Sequence, residues 1–203
     1  MVEKLSGKLI VGITGATGTI FGVRLLQILE GTGIETHLIV SKWAQRTLTH
    51  ETPYTAEEVQ QMATCVHRSS NQGAPISSGS FLTRGMIIAP CSMRTLGAIA
   101  SGVGDNLIVR AADVTLKERR KLVLLVREAP LNDIHLENML KLSRMGVVVL
   151  PPVPAFYNHP RTIDDIVNHV VQRSLDQFDI HIDVVQRWDG VMRKTRQVSQ
   201  VSD

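Results

Sequence analysis

The sequence predicts a doubly wound α/β fold, a single domain in which helices cover both faces of a parallel sheet. Apolar runs alternate with helical patterns along almost all of the 203 residues. Most of these runs are continuous stretches of Val, Ile and Leu, which is typical of strands buried on both faces. The first run leads through a glycine turn directly into a helical pattern, as in a βα unit.

Five apolar runs are predicted to form strands, and six amphipathic patterns are predicted to form helices. The strands are expected at residues 8–14, 35–40, 85–90, 121–126 and 146–150. The helices are expected at residues 19–29, 55–63, 92–100, 106–119, 132–145 and 162–178. The alternation indicates a Rossmann/flavodoxin-like domain over residues 1–185, followed by a C-terminal tail over residues 186–203 in which Trp188 docks at the site.

Local signals place several helix boundaries. Thr55 and Thr162 each stand three residues before an acid, which is the pattern of a hydroxyl cap. Gly31 and Gly146 fit helix ends, where a left-handed backbone favours glycine. Residues 66–80 are rich in Ser, Gly and Asn and are predicted to form an ordered loop or short linker.

Composition excludes several classes of protein. With 43% hydrophobic and 20% charged residues, the chain is expected to be globular and soluble. No apolar run approaches the roughly 20 residues of a membrane span, and the polar start does not match a secretory signal. We therefore expect a cytoplasmic protein with no membrane partner. The formal net charge of +3 lies mostly in the tail, without a basic stripe, so nucleic acid is not an expected partner.

The cysteines and histidines do not predict a metal site. Cys65 and Cys91 are far apart and form no CxxC pair, which argues against a disulfide framework and against a thiolate metal site. The seven histidines show no paired ligand spacing. The expected metal content is none.

The carboxyl ends of the predicted strands carry small, hydroxylated or charged residues. Ligands of doubly wound sheets bind at this edge. We therefore expect a polar site built from residues 14–18, Ser41, residues 90–92, residues 127–128 and residues 151–152.

The glycine turn of residues 14–18 opens a helix, where unpaired N–H groups and the helix dipole favour a phosphate. A dinucleotide site would have glycine at position 21 and an acid at the end of the second strand, but the chain has Phe21 and Ser41 there. A mononucleotide such as FMN is therefore favoured. A tight turn without a ligand remains the alternative.

Two further segments are candidates for ligand binding. In residues 90–95 (PCSMRT), Ser92 and Thr95 either cap the next helix or also bind a flavin edge or phosphate. Arg127 and Glu128 directly follow an apolar strand, and burying either charge is costly unless it is paired or bound. An exposed ion pair is the alternative, just as Lys117 and Arg173 taken alone are expected to be surface charges.

Taken together, nine blocks of the chain resemble the flavin prenyltransferase family. Within it, the chain is most similar to the branch that is encoded with bacterial phenolic (hydroxyarylic) acid decarboxylases and was historically counted among the components of those decarboxylases. The resemblance covers residue 8 to about residue 190. The blocks are 14–18 (TGATG), 41–42 (SK), 51–52 (ET), 90–95 (PCSMRT), 110–114 (RAADV), 116–120 (LKERR), 127–130 (REAP), 135–139 (HLENM) and 154–157 (PAFY).

The resemblance implies an enzyme that alkylates reduced FMN with dimethylallyl phosphate at flavin N5 and C6. The product, prenylated FMN, serves a separate partner decarboxylase. Family members use no metal and assemble as homododecamers with sites at the interfaces between protomers.

The resemblance also implies roles for individual residues. Cofactor contacts are expected from Gly15, Ala16, Thr17, Ser41, Ser92, Met93, Arg94, Thr95 and Arg110. Contacts with the substrate phosphate are expected from Lys117, Arg127, Glu128, Tyr157 and Arg173. The catalytic residues are expected to be Glu128, Thr17 and Glu51. The cations would take up the charge of the departing phosphate, and Glu128 would relay a proton. Thr17 stands where many relatives carry Ser, and Glu51 and Trp188 would border the site.

Three other functions remain open. The chain could be an FMN-binding component that acts directly in the decarboxylation of aromatic acids, which would use the same FMN residues. A flavin-dependent cysteine decarboxylase shares the sheet but carries Pro-Ala-Ser-Ala-Asn-Thr where this chain has residues 90–95 (PCSMRT). A non-enzymatic flavin-binding protein would not require Lys117, Arg127 and Glu128.

Overall fold

The computed structural model describes residues 6–192, which form a six-stranded parallel sheet with helices on both faces. The strands are β1 (Lys8–Ile13), β2 (Glu35–Val40), β3 (Cys65–Arg68), β4 (Gly85–Cys91), β5 (Lys121–Val126) and β6 (Val148–Val149). Their order across the sheet is β3-β2-β1-β4-β5-β6, and every neighbouring pair is parallel. The predicted doubly wound fold is confirmed. The N-terminal five residues and residues 193–203 of the predicted tail lie outside the described residues.

Seven α-helices connect the strands in the described part of the chain. They are α1 (Ile20–Leu29), α2 (Lys42–Glu51), α3 (Ala56–Gln61), α4 (Met93–Ser101), α5 (Leu107–Lys117), α6 (Asp133–Arg144) and α7 (Ile163–Asp176). The predicted capping boxes at Thr55 and Thr162 are both present. Gly31 and Gly146 have φ angles of 72° and 91° and follow α1 and α6, as expected for helix ends.

The sequence analysis missed two elements. Helix α2 buries only Ala44 and Leu48, so its apolar stripe is too weak to stand out. Strand β3 falls mostly inside the predicted loop of residues 66–80, and that prediction was wrong for Cys65–Arg68. It also missed a 3₁₀ turn at Pro75–Ser77. As an edge strand of four residues, β3 alternates half-buried and exposed side chains and lacks a continuous apolar run.

Side chains of alternate direction along β1 divide the core between the two faces of the sheet. Ile10 faces the layer of α4 and α5 together with Met86 and Ile88. Leu9 faces α1 and α7, and Val11 and Ile13 face α1, α2 and α3 on the same side. The sheet is therefore covered on both sides, which explains why its central strands are continuous apolar runs.

Strand β1 lies between β2 and β4, so the chain winds away from it in both directions. In doubly wound sheets the ligand crevice opens at the carboxyl ends of the two strands where the order reverses. The buried hydroxyl of Thr14 joins these ends because it donates to the Pro90 carbonyl at 2.7 Å. It also accepts from the Ser92 N–H at 2.9 Å.

Over residues 6–192, no helix combines the length and the apolar character needed to cross a bilayer. The cytoplasmic location stays a prediction of the sequence.

Candidate active site

A cavity of about 710 Å³ opens at the reversal point, beside Thr14 and Ser92. This volume falls in the range of about 300–1,000 Å³ that is typical of small-molecule sites. Its wall combines hydroxyl, charged, aromatic and aliphatic groups. The lining residues are Thr14, Gly15, Ser41, Lys42, Trp43, Arg46, Ser69, Ser92, Arg94, Thr95, Ala98, Asp105, Asn106, Ile108 and Val109.

Three helices begin at this cavity, and the N-cap residue of each lines it. The Ser41 hydroxyl accepts from the Ala44 N–H at the start of α2, and the Ser92 hydroxyl accepts from the Thr95 N–H at the start of α4. At the start of α5, Asn106 Oδ1 accepts from two backbone N–H groups. The positive ends of three helix dipoles therefore converge, which favours an anionic group such as a phosphate.

The charged side chains of the wall add to this positive potential. Arg94 is paired with Asp105 at 3.2 Å. Lys42 and Arg46 bring two further positive charges to the same wall. Three cations and one carboxylate leave an excess of positive charge in the cavity, which complements a phosphate ester.

A flat aromatic surface forms the mouth of the cavity. The Trp43 side chain is 62% exposed, and the Arg46 guanidinium lies over its ring at 5.3 Å from the centroid. A Cβ on Gly15 would collide with the Trp43 ring, so the close approach of the loop to this ring requires glycine. The planar surface beside an anion-favouring pocket fits a flavin mononucleotide, which carries a planar ring system and one phosphate.

The N-terminus of α1 is used differently from the prediction. We expected its unpaired N–H groups to hold a phosphate, but Glu51 Oε2 accepts from the Gly18 N–H at 2.8 Å. It also accepts from the Thr19 N–H and the Thr19 hydroxyl, both at 3.1 Å. These two N–H groups are therefore occupied by the chain's own carboxylate, and the prediction of a phosphate on them was wrong. The other three helix starts supply the positive ends.

The electrostatics of Glu51 follow from these contacts. Partial burial raises the pKa of its carboxyl group, but hydrogen bonds from Thr17, Gly18 and Thr19 outweigh burial and hold the pKa below its ordinary value. Glu51 is therefore ionised at neutral pH, next to the exposed Thr17 that was predicted to contact the flavin.

Of the predicted cofactor residues, Gly15, Ser41, Ser92, Arg94 and Thr95 line the cavity. Ala16 and Thr17 continue the loop beyond Gly15. Met93 packs against the core beneath α4, and the Arg110 guanidinium pairs with Asp113 at 2.7 Å. Met93 and Arg110 are therefore near the cavity in sequence but are not among the residues that form its wall.

The sequence analysis did not identify Lys42, Arg46, Asp105 and Asn106 as site residues. The first two lie on α2, which was not predicted, and Asn106 was noted only as a helix start. The signal that could have found them is the Ser41-Lys42 pair after β2, since a hydroxyl in that position is a typical N-cap.

Cys91 lies beside the cavity at the end of β4 but is fully buried. Burial raises the pKa of its thiol to about 12. The thiol is therefore protonated at neutral pH, in agreement with the expectation of a small apolar side chain rather than a nucleophile.

Arg127 and Glu128 directly follow β5, and both are exposed. The carboxyl ends of parallel strands share one edge, so these residues lie on the same edge of the sheet as the cavity. The Glu128 carboxylate accepts from the Ala129 N–H at 3.1 Å.

Tyr157, Arg173 and Trp188 lie together on the side of α7, and we call them, with His169, Asp176 and Arg187, the C-terminal cluster. The Tyr157 hydroxyl is 2.9 Å from His169 Nε2, and the ring centroids of Tyr157 and Trp188 are 5.8 Å apart. Tyr157 and Trp188 also line a second cavity of about 300 Å³. Trp188 thus contacts a predicted site residue but does not line the larger cavity.

Asp176 anchors the C-terminal cluster. Its carboxylate pairs with Arg173 at 3.1 Å and with Arg187 at 2.9 Å. Burial raises the pKa of Asp176, but hydrogen bonds from Arg187 and His181 and the charges of both arginines outweigh burial and lower it. The predicted phosphate ligand Arg173 is therefore held by an ionised partner.

Lys117 lies far from the other predicted phosphate ligands. It ends α5, which begins at the cavity with Asn106 as its N-cap and spans 11 residues, so its length of about 16 Å carries Lys117 away from the cavity edge. There the ammonium group pairs with Glu118. One chain does not bring Lys117, Glu128 and Arg173 together around a single phosphate.

The chain is similar to known proteins over most of its length. Residues 2–175 match the family model described as Flavoprotein. A curated relative from Bacillus subtilis (strain 168), named a probable UbiX-like flavin prenyltransferase, is 60% identical over 187 residues, which cover 92% of each chain.

Two solved structures are similar over nearly their whole length. One is a dodecameric FMN-dependent UbiX-like decarboxylase from Escherichia coli O157:H7, with a TM-score of 0.88 and 60% identity over 90% of this chain and 100% of that one. The other is AnUbiX (PadA1) in complex with FMN and dimethylallyl pyrophosphate, with a TM-score of 0.90 and 49% identity over 92% and 100%.

Proposed function

The chain belongs to the Flavoprotein family and, within it, to the flavin prenyltransferases, and from this premise we propose that it transfers a dimethylallyl group from dimethylallyl phosphate to reduced FMN. The observation that carries the proposal is the cavity at the reversal point, where three helix N-termini and the Trp43 surface complement a phosphate and a planar ring. A relative of 49% identity has been solved with FMN and a dimethylallyl ester together.

The cavity is proposed to bind the flavin. Ser41, Ser92 and Asn106 place the positive helix ends against the phosphate of FMN, and Lys42 and Arg46 add positive charge. Gly15 and Trp43 border the ring system. Reduced FMN, when bound, supplies the nucleophilic N5 and C6 atoms of the reaction.

The donor phosphate is proposed to bind to Lys117, Arg127, Arg173 and Tyr157. These cations stabilise the negative charge that develops on the leaving phosphate, because they are already in place when the C–O bond breaks. Glu128 donates a proton to a phosphate oxygen and accepts one from flavin C6. Ionised Glu51 and the Thr17 hydroxyl hold the polar side of the glycine loop.

These roles require more than one copy of the chain in each site. Lys117 precedes β5 and Glu128 follows it, so the six residues of that strand separate them by about 20 Å. Helix α6 exposes Ile134, Leu136 and Leu140, which are 67%, 50% and 52% accessible. An apolar face of this kind favours association. We propose a homo-oligomer, a dodecamer like the relative from Escherichia coli, in which neighbouring copies supply Lys117.

Prenylated FMN is proposed to pass to a separate decarboxylase of phenolic or hydroxyarylic acids. The support is the resemblance of the nine sequence blocks to that branch of the family. This partner places the reaction upstream of a decarboxylation that this chain does not itself perform.

The deciding experiment is the mass of the flavin. Purified protein is incubated with FMN, dithionite and dimethylallyl phosphate, and the released flavin is analysed by mass spectrometry. A gain of one five-carbon unit supports the proposal, and unchanged FMN in protein that retains flavin contradicts it. Parallel incubation with the diphosphate ester identifies the donor.

Direct decarboxylation is the second candidate, because one solved relative is described as an FMN-dependent UbiX-like decarboxylase. The chain alone, loaded with FMN, is incubated with a hydroxybenzoic acid and the headspace is assayed for CO₂. Release of CO₂ without any partner protein would favour this candidate.

A further inference from the structure

Away from the cavity, four side chains that can ligate metals lie on one face of the sheet at its β2–β3 edge. Glu35 and His37 are two residues apart on β2, and Cys65 and His67 are two residues apart on β3. Residues at this spacing point to the same face of a strand. The two strands pair in parallel with His37 beside Cys65, which brings both pairs together. We call these four residues the edge cluster.

Three ligand atoms of the edge cluster already lie close to one another. Glu35 Oε1 is 2.9 Å from His37 Nε2 and 4.0 Å from Cys65 Sγ. All three atoms lie within 4.8 Å of one another. Tetrahedral zinc has ligand bonds of about 2.0–2.3 Å, so its ligand atoms lie between about 3 and 4 Å apart. Small rotations of these side chains therefore suffice to surround an ion.

His37 is oriented as a metal-binding histidine usually is. Its Nε2 faces Glu35, while its other ring nitrogen, Nδ1, lies 2.9 Å from His67 Nε2. The two imidazoles stack with centroids 5.2 Å apart, and the Phe81 ring packs edge-on against His37. Histidine ligands commonly have their second ring nitrogen hydrogen-bonded in this way, which sets the tautomer and the ring direction.

We propose that Glu35, His37 and Cys65 bind one divalent transition-metal ion of the zinc class, with His67 as the residue that positions His37. Carboxylate, imidazole and thiolate together suit zinc or cobalt better than magnesium or calcium. On binding, the Cys65 thiol releases its proton to solvent, and neutral His37 carries its proton on Nδ1, where it donates to His67 Nε2. The thiolate and the Glu35 carboxylate then balance the two positive charges of the ion.

The proposed ion occupies a position separate from the flavin chemistry. Glu35 begins β2 and Ser41 follows its end, so about 20 Å of strand lies between the edge cluster and the cavity. The Glu35 side chain is 38% exposed, which leaves a path for the ion and a coordination position for water. Because the ligands come from two strands, the ion would tie the short edge strand β3 to β2.

The test uses FMN-loaded protein without an affinity tag, reduced and stripped of metal with a chelator. Cobalt(II) is titrated, and the visible ligand-field bands are recorded beyond the absorption of oxidised flavin. We expect intense tetrahedral bands that saturate at one ion per chain, and a raised thermal unfolding midpoint when zinc is added. Zinc retained after dialysis is counted by elemental mass spectrometry.

Variants separate the edge cluster from other ligands. Cys65→Ser and Glu35→Gln should abolish the bands, and His67→Gln should weaken cobalt binding about ten- to hundredfold. His50→Gln, at an exposed histidine on α2, should bind as the unaltered protein does. FMN loading of each variant reports correct folding. Absence of saturable bands in the unaltered protein, or bands unchanged in folded Cys65→Ser, would overturn the proposal.

Discussion

The Glu51 carboxylate accepts a hydrogen bond from the Gly18 backbone N–H at 2.8 Å. This contact joins the last residue of α2 to the loop that precedes α1. It satisfies a donor that would otherwise need water or a ligand. The glycine loop is therefore held from below by the protein itself, and the approach from the cavity is left to the other helix starts.

Replacing Glu51 with Gln should lower the thermal unfolding midpoint near pH 7, and the difference should vanish at acidic pH. The pKa of Glu51 is lowered in the folded state, so its stabilisation is complete above the unfolded-state pKa of about 4.3. It is lost as the pH falls through the lower folded-state pKa. Calorimetry from about pH 7 to about pH 3 checks this, since the carboxylates of such contacts titrate in that window.

Glu57→Gln is the matched control for Glu51→Gln. Glu57 is exposed on α3 and lies away from the glycine loop. The same loss of charge should leave the midpoint nearly unchanged there. A difference between the Glu51 variant and the unaltered protein that persists undiminished at the acidic end would contradict the assigned role of the carboxylate.

Gly15→Ala should weaken FMN binding about tenfold or more, because overpacking costs about 1–3 kcal/mol and about 1.4 kcal/mol corresponds to a factor of ten. The added methyl group would collide with the Trp43 ring and displace it from the mouth of the cavity. Fluorescence titration with FMN measures the change. Gly104→Ala is the control, since a Cβ at Gly104 meets nothing within 4 Å. Equal affinity in both variants would refute the role of Gly15.

Ser41→Ala should lower both the stability of the protein and its affinity for FMN. Loss of an N-cap costs about 1 kcal/mol, and this N-cap also lines the cavity. Thr162→Ala removes a comparable cap from α7, so it should cost similar stability and leave FMN affinity intact. Denaturant unfolding and FMN titration of both variants decide the matter, and parallel losses of affinity would count against a site at α2.

Lys117→Gln and Glu128→Gln should each bind FMN and fail to prenylate it, yet co-expression of the two should restore activity. Their positions at opposite ends of β5 mean that a site takes them from different copies. Random assembly through a head-to-tail interface then yields about a quarter of the sites with both residues intact. Prenylated flavin per chain is measured by mass spectrometry.

Arg127→Gln co-expressed with Glu128→Gln is the control for this complementation. These neighbours follow the same strand end, so one copy supplies both and no mixed site is complete. An inactive mixture of the Lys117 and Glu128 variants would rule out sites shared between copies. Activity in the control mixture would show that Arg127 and Glu128 act in different sites.

The sequence predicted the central sheet well because β1, β2, β4 and β5 are buried runs whose hydrophobic signal is strong. It failed at α2 and β3, where few side chains are buried and the pattern is weak. The predicted phosphate on α1 failed for another reason. Glu51 lies 33 residues from Gly18, and no local pattern indicates that such a distant carboxylate occupies a helix start.

The candidate site was predictable where it depends on strand ends. Gly15, Ser41 and Ser92 follow three strands and meet at the cavity, as the rule for parallel sheets requires. The positions of Lys117 and Arg173 depend on helix lengths and on contacts between copies. These are properties of the whole assembly, which the linear pattern of one chain does not encode.

The two tryptophans of the chain lie in different places, one on each of the two cavities. Trp43 stands at the larger cavity, and Trp188 packs on Tyr157. Each indole is thus a built-in optical probe of its own surroundings. A Trp188→Phe protein would signal flavin loading by quenched emission without any dye, and a Trp43→Phe protein would report separately on how the end of the chain settles.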